Sequence, residues 1–361
     1  MKDKSISVLN FVGLGIFEPA IRLASGEEVK KNLNELLKKV VFPIISILLF
    51  LFLWNLGASA LYNTEKDFKI EKARSEGGEA AVQAELARIE SGESSINSLP
   101  APGAVLQAFK TLIADHKVIS AKKDAFEEKT AAMNEKREAQ GLAPITYTGR
   151  PSFIDQVLTS LKTVFAGFFL ALFLAVPIGM ILGLSETLRA SFNWLIQIFK
   201  PVSPVVWFLL VYMIVKSLTL TYNGDVSFII SFIAVGLCAM WATLVNTTLG
   251  VSSVDQDYIN VAKVLNLSVG QKVFKIVLPS SFPLIFTGLR ITVSVAWMVL
   301  IAIELLSQSP GLGTFVWEEF QNGANDSNAK IIAAMFVIGL IGFLLDRLMF
   351  SVQKLMTFTE Q

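Results

Sequence analysis

The sequence has almost none of the thiol and imidazole side chains that many metal and nucleophilic sites use. It contains one cysteine, Cys238, and one histidine, His116, among 361 residues. A single cysteine cannot form a disulfide within the chain, and a lone imidazole cannot complete a typical metal site. The sequence also has no G-x-x-x-x-G-K-[ST] phosphate-binding loop and no H-E-x-x-H motif. We therefore expect no catalytic, cofactor-binding or metal site in this chain, and no ATP hydrolysis by it.

An excess of charge of either sign is also missing. The 31 Lys and Arg residues are balanced by 30 Asp and Glu residues, which gives a formal net charge of +1. This balance does not indicate a nucleic-acid surface or a surface for acidic substrates. We expect no nucleic-acid partner.

Apolar residues are abundant, at 53% of the chain, and they are concentrated in long runs. Several runs exceed the roughly 18 residues that a helix needs to cross a bilayer. The first begins too late and is too long for a cleavable signal peptide, so we expect it to remain as an anchor. The chain is predicted to be an all-α, polytopic helical membrane protein with about six transmembrane helices. The predicted spans are residues 40–62, 157–184, 194–215, 226–250, 284–307 and 330–350.

Basic residues predict the orientation of these spans. Lys30, Lys31, Lys38 and Lys39 lie close to the start of the first span, and three lysines lie in the loop 251–283, whereas the loop 308–329 has no Lys or Arg. By the positive-inside rule both termini are cytoplasmic and the protein is multi-pass. The predicted organisation is a cytoplasmic amphipathic segment 1–39, a first transmembrane helix 40–62, an extracytoplasmic helical insertion 63–156, a five-helix core 157–350 that includes a cytoplasmic segment 251–283, and a cytoplasmic tail 351–361.

The insertion and the prolines add two local expectations. Residues 63–156 are rich in Ala, Glu and Lys, a composition that favours helices in water. Their charges form either a solvated helix face or a docking surface. Pro177, Pro201 and Pro204 are expected to mark kinks or broken helices in or beside the spans.

The cytoplasmic segment 251–283, which we call the elbow, is predicted to contain two short helices. Each begins with an S-x-x-Q capping box, at Ser253 and at Ser268. The first helix is expected to end at Asn266, since Asn tolerates the left-handed conformation found at helix ends. The second is expected to stop before Pro279. Both helices are amphipathic and too short to span a bilayer, so they suit either lipid headgroups or a groove on a partner.

The stretch "DYINVAKVLNLSVGQKVFKIVLPSSFPLIFTGLR" resembles the EAA loop of ABC-transporter inner-membrane permeases. Asn260, Val261 and Ala262 align with the family's Glu-Ala-Ala, and Asn266 aligns with its Gly. Asn260 thus lacks the family carboxylate. The similarity continues through "LPAPGAVLQAF", "SLKTVFAGFFLALFLAVPIG", "KPVSPVVW", "TGLRI" and "AIELL...GLG", and covers most of residues 99–350.

The sequence pattern "DYxNVAxVLxLS", together with "FTGLRI" and "LLDRL", resembles the permeases of the nitrate, nitrite and cyanate branch. This branch is a sister of the sulfonate, taurine and bicarbonate permeases. The resemblance implies the membrane subunit of an ATP-driven importer in the bacterial inner membrane. It implies cytoplasmic ATPase subunits that bind ATP and Mg, an extracytoplasmic binding protein, a second permease copy and surrounding lipid as partners. The ATPase-coupling residues it implies are Tyr258, Asn260, Val261, Ala262, Lys263, Leu265, Asn266, Leu267 and Ser268.

Four residues of the fifth span are candidates for a pathway or gate. Glu304 is an acidic group at membrane depth, for which a hydrogen-bonded structural role and a gating role are both open. Arg290 either extends to the interface or attracts substrate. Ser294 and Trp297 either line a pathway or pack against neighbouring helices.

Other functions stay open at this point. The substrate is expected to be nitrate or nitrite, with sulfonate or taurine, bicarbonate or a thiamine precursor as alternatives. A stand-alone secondary transporter would call for inverted repeats and paired broken helices, and no such symmetry is visible in the sequence. A sensory receptor would call for a large cytoplasmic signalling domain, for which residues 351–361 leave no room.

Overall fold

The computed structural model describes residues 18–26, 28–91, 93, 94, 96, 99–219, 226–324 and 326–356. Residues 1–17 of the predicted N-terminal segment and 357–361 of the predicted tail lie outside the described residues. The described part of the chain forms thirteen α-helices and two π-helical turns, and it contains no strand. The all-α class is confirmed.

The N-terminal helices are α1 (Glu18–Ala24), α2 (Val29–Leu36), a π turn (Leu37–Val41), α3 (Phe42–Glu90) and α4 (Pro102–Ala139). The remaining α-helices are α5 (Phe153–Leu184), α6 (Glu186–Phe199), α7 (Pro204–Leu218), α8 (Ser227–Ser252), α9 (Gln256–Val264), α10 (Val269–Lys272), α11 (Leu278–Ser307), α12 (Leu312–Asn322) and α13 (Ser327–Met356). A second π turn (Val273–Val277) joins α10 to α11.

Five helical segments of the described chain are long and apolar enough to cross a membrane. The predicted span 194–215 is not among these five segments, because the helix there is broken beside Pro201 and Pro204, where the sequence predicts a kink or break. Helices α6 and α7 meet there at a bend of 100°. Pro201 lies in the break, and Pro204 occupies the start of α7, where its missing N–H costs no helical hydrogen bond. Counting this bent pair as one span gives six.

The described chain divides into two compact units after Gln107, and each is described by itself. In the first unit, α3 continues well beyond the predicted end of the first span and is interrupted only at Gly77 and Gly78. The Trp54 indole donates to the Pro100 carbonyl at 3.0 Å, and the Ser94 hydroxyl donates to Glu85 at 2.6 Å. The segment that follows α3 is therefore fastened to the side of that helix.

The second unit is built around α5, α8 and α11, with α7 and α13 packed on the outside. Small residues let α5 and α8 approach closely: a Cβ added at Gly183 would lie 2.5 Å from the Val251 Cβ. A buried hydroxyl pair joins α8 to α11, with the Thr243 and Thr292 oxygens 2.7 Å apart. Packing and polar contacts of this kind hold helices together where lipid provides no hydrophobic driving force.

The part of α4 that belongs to the second unit is held by its own return segment. Asn134 forms two hydrogen bonds with the Ile145 backbone, at 2.7 and 3.0 Å, and Tyr147 packs edge-on against Phe126. At the other end of this stretch, His116 Nδ1 lies 2.8 Å from the Ser152 hydroxyl, next to the start of α5. The described residues contain no cluster of metal-ligating side chains.

Candidate functional site

The elbow keeps one predicted capping box and loses the other. The Ser268 hydroxyl accepts from the Gln271 N–H, and the Gln271 side chain accepts from the Ser268 N–H. The predicted box at Ser253 is wrong. Ser253 ends α8 and donates its hydroxyl to the Gly250 carbonyl, while Asp255 caps α9 by accepting from the Asp257 N–H at 2.9 Å. Asp is as good a cap as Ser, and here it lies closer to the first helical turn.

Helix α9 ends where the sequence predicts. Asn266 has a φ of 47°, in the left-handed region. Its N–H donates to the Lys263 carbonyl and the Leu267 N–H donates to the Ala262 carbonyl, both at 3.0 Å. These two bonds form a Schellman motif. An Asn in place of the family's Gly therefore preserves the turn between the two elbow helices.

The elbow presents an apolar surface that no described residue covers. Tyr258 is 58% exposed, Val264 81% and Leu265 62%. Ala262 is the exception at 2% exposure, because its methyl group faces the rest of the chain. Contiguous exposed apolar side chains of this kind mark an interaction surface. The exposed apolar side chains of the elbow are Tyr258, Val261, Val264, Leu265, Val269 and Phe274.

The second elbow helix does not stop before Pro279, so that prediction is wrong. Helix α10, the π turn and α11 form one continuous helical segment, Val269–Ser307. In the π turn, the Leu278 N–H donates to the Val273 carbonyl, five residues back. The wider turn precedes a proline placed at the start of α11, where the ring interrupts no α-helical hydrogen bond. One continuous helical segment therefore runs from the elbow through α11.

Two of the four pathway candidates line a groove between α11 and α13. The groove has a volume of about 630 Å³ and includes Arg290 and Ser294. Arg290 makes a bidentate ion pair with Asp346, at 2.6 and 2.7 Å. The ring of Phe350 lies between the Arg290 guanidinium and the Lys354 ammonium, 5.1 and 4.8 Å from them. The groove thus combines two cations, one carboxylate and an aromatic face.

The other two candidates are buried away from that groove. The Trp297 indole donates to the Ile338 carbonyl at 2.9 Å, and it packs on α13 where Gly342 leaves room for the ring. Glu304 is fully buried at the opposite end of α11. The structure therefore brings Arg290 and Ser294 together and separates Trp297 and Glu304 from them.

Glu304 ties three helices together. One carboxylate oxygen accepts from the Ser160 hydroxyl of α5 at 2.7 Å, and the other accepts from the Gly313 N–H of α12 at 2.9 Å. Ser160 also accepts from the Leu312 N–H at 2.9 Å. A Cβ at Gly311 would overlap the carboxylate, so the short Gly-Leu-Gly turn permits this approach. We call the set Ser160, Glu304, Gly311, Leu312 and Gly313 the clasp.

Sequence reasoning missed Ser160 and Asp346 as partners. Ser160 gave no sequence signal, because hydroxyls are common in membrane helices. Asp346 did give one: a charge within an apolar run implies a partner of opposite sign. Arg290 lies at a corresponding depth on the preceding span, and pairing the two was open to sequence reasoning.

The fold defines a polytopic helical membrane protein whose elbow exposes apolar side chains. Residues 175–357 match the family model described as the binding-protein-dependent transport system inner membrane component. The chain belongs to this family and is the permease subunit of an ABC importer.

Curated relatives extend the comparison. The chain is 35% identical over 202 residues to the nitrate import permease protein NrtB of Synechococcus elongatus, covering 56% of this chain and 69% of the relative. It is 37% identical over 201 residues to the bicarbonate transport system permease protein CmpB of Synechocystis, covering 55% and 68%. It is 30% identical over 225 residues to the taurine transport system permease protein TauC of Escherichia coli, covering 59% and 75%.

A solved structure shares the fold. The inward-facing MetNI methionine ABC transporter matches with a TM-score of 0.50 and 14% identity, over 56% of this chain and 95% of the matched chain. At that identity the likeness shows the fold alone. It supports the all-α fold of the matched part of the chain.

Proposed function

We propose that this chain imports a small inorganic oxyanion, with nitrate or nitrite as substrate, across a bacterial inner membrane. The observation that carries the proposal is the groove between α11 and α13, where Arg290 and Lys354 flank an aromatic ring. Arg290 lies within the predicted fifth span, and a cation at membrane depth is costly and is a functional suspect by default. The names of the relatives, nitrate and bicarbonate permeases among them, support the same substrate class.

Arg290 is suited to a transient role. Its guanidinium is partly exposed to the groove while Asp346 holds it in a fixed position. An anion that approaches Arg290 competes with this carboxylate, so it is stabilised weakly. Weak stabilisation is what a conducting pathway requires, since tight binding would trap the substrate.

The groove is completed by a second permease copy in this proposal. The flank of α11 that borders it is uncovered within the chain: Met298 is 69% exposed, and Ile291 and Ser294 are also exposed. Two copies facing each other would enclose an anion pathway between their α11 and α13 helices. Most soluble oligomers are closed, and a two-fold pair is the simplest closed arrangement.

The elbow is proposed as the contact with the cytoplasmic ATPase subunits. Its exposed apolar face needs a partner surface, and ATP and Mg would be bound by that partner. In this arrangement ATP hydrolysis belongs to the separate subunits. Closure of those subunits would push on α10, and the continuous segment Val269–Ser307 would carry the movement to α11.

The proposed orientation places the elbow and both termini in the cytoplasm and α4 outside. Ala132→Cys on α4 and Gly270→Cys in the elbow, each in a Cys238→Ser background, separate the two sides because both positions are exposed. An impermeant thiol reagent added to intact cells should label position 132 and should reach position 270 only after permeabilisation. The reverse pattern would contradict the orientation.

Substrate identity is tested by transport. The permease, its ATPase subunits and its binding protein are reconstituted in proteoliposomes, and ATP-dependent uptake of nitrate, nitrite, cyanate, bicarbonate and taurine is compared. Nitrate or nitrite should give the highest kcat/KM, and Arg290→Gln should lower it. Preferred uptake of bicarbonate or taurine would contradict nitrate or nitrite as the substrate, and it would not affect the assignment of the chain as a permease.

A further inference from the structure

A second polar cavity lies away from the groove, where α12 and the start of α5 meet the middle of α4. It has a volume of about 210 Å³. We call it the acidic cavity, and its position next to the clasp places it at the extracytoplasmic end in the proposed orientation. Its lining residues are Leu112, Asp115, Arg150, Pro151, Phe153, Gln156, Phe315, Glu318, Glu319 and Asn322.

One lining group is a buried acceptor without a donor. Gln156 is only 3% exposed, and its Oε1 has no hydrogen-bond partner within the described chain. An unpaired buried carbonyl costs free energy, and buried polar groups of folded proteins nearly always have a partner. Gln156 lines the cavity, so a donor that enters from outside the chain would give this acceptor the partner it lacks.

The charges around the cavity select a positive donor. Glu319 is nearly buried and is satisfied by Lys330 at 3.7 Å and by the Ser327 hydroxyl at 2.8 Å. Asp115 shares a 3.6 Å ion pair with Arg150. Glu318 is exposed and forms no ion pair with any described residue. With Asp115 paired to Arg150 and Glu319 paired to Lys330, the exposed carboxylate of Glu318 leaves the cavity with a net negative charge.

One part of the cavity wall is apolar, and this part suits the stem of a side chain better than a hydrated ion. Phe153 and Phe315 pack edge-on with ring centroids 4.8 Å apart, and Leu112 and Pro151 complete the wall. The volume is about seven times the roughly 30 Å³ that one water occupies in the liquid. It therefore has room for four methylenes and an ammonium group. Lysine has this composition, a flexible apolar stem that ends in three donors.

We propose that the acidic cavity receives a lysine side chain of the extracytoplasmic binding protein when that protein docks. The ammonium donates to Gln156 Oε1 and faces Glu318, while the stem lies on Phe153 and Phe315. The inference rests on the proposed function for the identity of the partner. It adds the residues that recognise the partner and the chemistry of the contact, and it makes α12 a docking helix that the clasp connects to α11.

The test measures the affinity of the purified binding protein for the permease complex in nanodiscs. Gln156→Leu removes the buried acceptor and Glu318→Gln removes the free carboxylate. Glu128→Gln on the exposed side of α4 is the matched control, since it removes a surface carboxylate that does not line the cavity. Each cavity variant should weaken docking about tenfold, the scale of a hydrogen bond to a charged group, and the control should dock like wild type.

A competitor identifies the ligand chemistry. n-Butylammonium is the lysine side chain in free form, and at millimolar concentration it should inhibit docking more than NaCl of equal ionic strength. It should lose this advantage in Gln156→Leu. The exposed position of Glu318 keeps the test available even if Gln156→Leu does not fold.

Unchanged docking of Glu318→Gln, together with equal inhibition by n-butylammonium and NaCl, would overturn the proposal. A second pattern would also overturn the proposal. In it, Na⁺ or K⁺ raises the melting temperature of the wild type but not that of Gln156→Leu, while docking of Gln156→Leu is unchanged. A free cation would then occupy the cavity in place of a lysine. ATP-driven uptake by the wild type in the same preparation keeps the two proposals apart. Uptake of no anion rejects the proposed function, whereas normal uptake with indifferent cavity variants rejects only the lysine contact.

Discussion

The two ends of the segment Val269–Ser307 differ in how they are completed. At its C-terminal end, Glu304 is fully buried and its two donors lie 2.7 and 2.9 Å away. At its N-terminal end the elbow exposes apolar side chains, such as Val269 at 79%. The hydrogen bonds of the clasp are satisfied within one chain, whereas no described residue covers the apolar side chains of the elbow. The segment is thus anchored within the chain at its C-terminal end and exposes an apolar face at its N-terminal end.

This comparison assigns different consequences to mutations at the two ends. A change in the clasp should lower the stability of the permease itself. A change on the exposed elbow face should leave the permease stable and weaken its assembly. The groove lies between the two ends and should show smaller effects on stability and larger effects on transport.

The largest loss of stability is expected from Glu304→Ala. Two buried donors, on Ser160 and Gly313, would lose their acceptor, which should destabilise the permease by about 3–4 kcal/mol. Thermal unfolding of the purified permease in detergent measures this loss. Glu304→Gln keeps one acceptor oxygen and should lose only about half as much. A Glu304→Ala variant as stable as the wild type would show that the clasp does not hold the helices together.

A second prediction compares two adjacent elbow positions. Val261→Asp places a charge on the exposed face and should weaken association with the ATPase subunits by about 2–3 kcal/mol, with the permease itself unaffected. Ala262→Asp buries a charge within the permease and should instead lower its melting temperature. Co-purification and thermal unfolding measure the two effects. The same outcome for both variants would remove the distinction between the exposed and the buried side of the elbow.

The ion pair in the groove should make a smaller contribution. Arg290 and Asp346 are partly exposed, so solvent screening limits their coupling to about 1 kcal/mol. A double-mutant cycle with Arg290→Gln and Asp346→Asn gives that coupling from unfolding data. Both single variants should lower kcat/KM for nitrate more than they lower stability. A coupling of zero and normal transport would make the pair incidental.

The smallest expected effect on stability comes from a comparison of Ser268, which caps an elbow helix, with Ser253, which was wrongly predicted to do so. Ser268→Ala removes a capping box and should destabilise α10 by about 1 kcal/mol, seen as faster amide exchange over residues 270–272. Ser253→Ala should stay within about 0.5 kcal/mol of wild type, because Asp255 provides the cap of α9. Faster exchange at the start of α9 in Ser253→Ala would restore the original prediction.

Local signals in the sequence sufficed for much of the fold. Long apolar runs predicted the spans because a bilayer requires about 20 apolar residues per helix. Asn266 indicated the elbow turn because Asn is one of the few residues besides Gly that readily adopt a positive φ. In the structure the φ of Asn266 is 47°. The capping box at Ser268 is likewise a property of four consecutive residues, so it needs no tertiary information.

The sequence-based predictions were wrong or incomplete where contacts with other segments of the chain determine the local structure. Ser253 matches the capping pattern, yet α8 extends to it and Asp255 competes for the same role. Pro279 reads as a helix end, yet the preceding π turn lets the helix continue. The clasp joins Ser160 to Glu304 across 144 residues, a pairing that no local periodicity reports. Exposure of Val261 beside a buried Ala262 also depends on packing.

The proposed contact between the elbow and the ATPase subunit is tested most directly by a cross-link from the exposed elbow face. In a Cys238→Ser background, Val261→Cys and Val264→Cys carry a thiol-attached photocross-linker, and Ala132→Cys on α4 serves as the control. The assembled complex is irradiated and the products are identified by mass spectrometry. Cross-links to the ATPase subunit are expected from positions 261 and 264, and none from position 132. Cross-links from 261 and 264 only to lipid or to the permease itself, in a complex that transports normally, would contradict it.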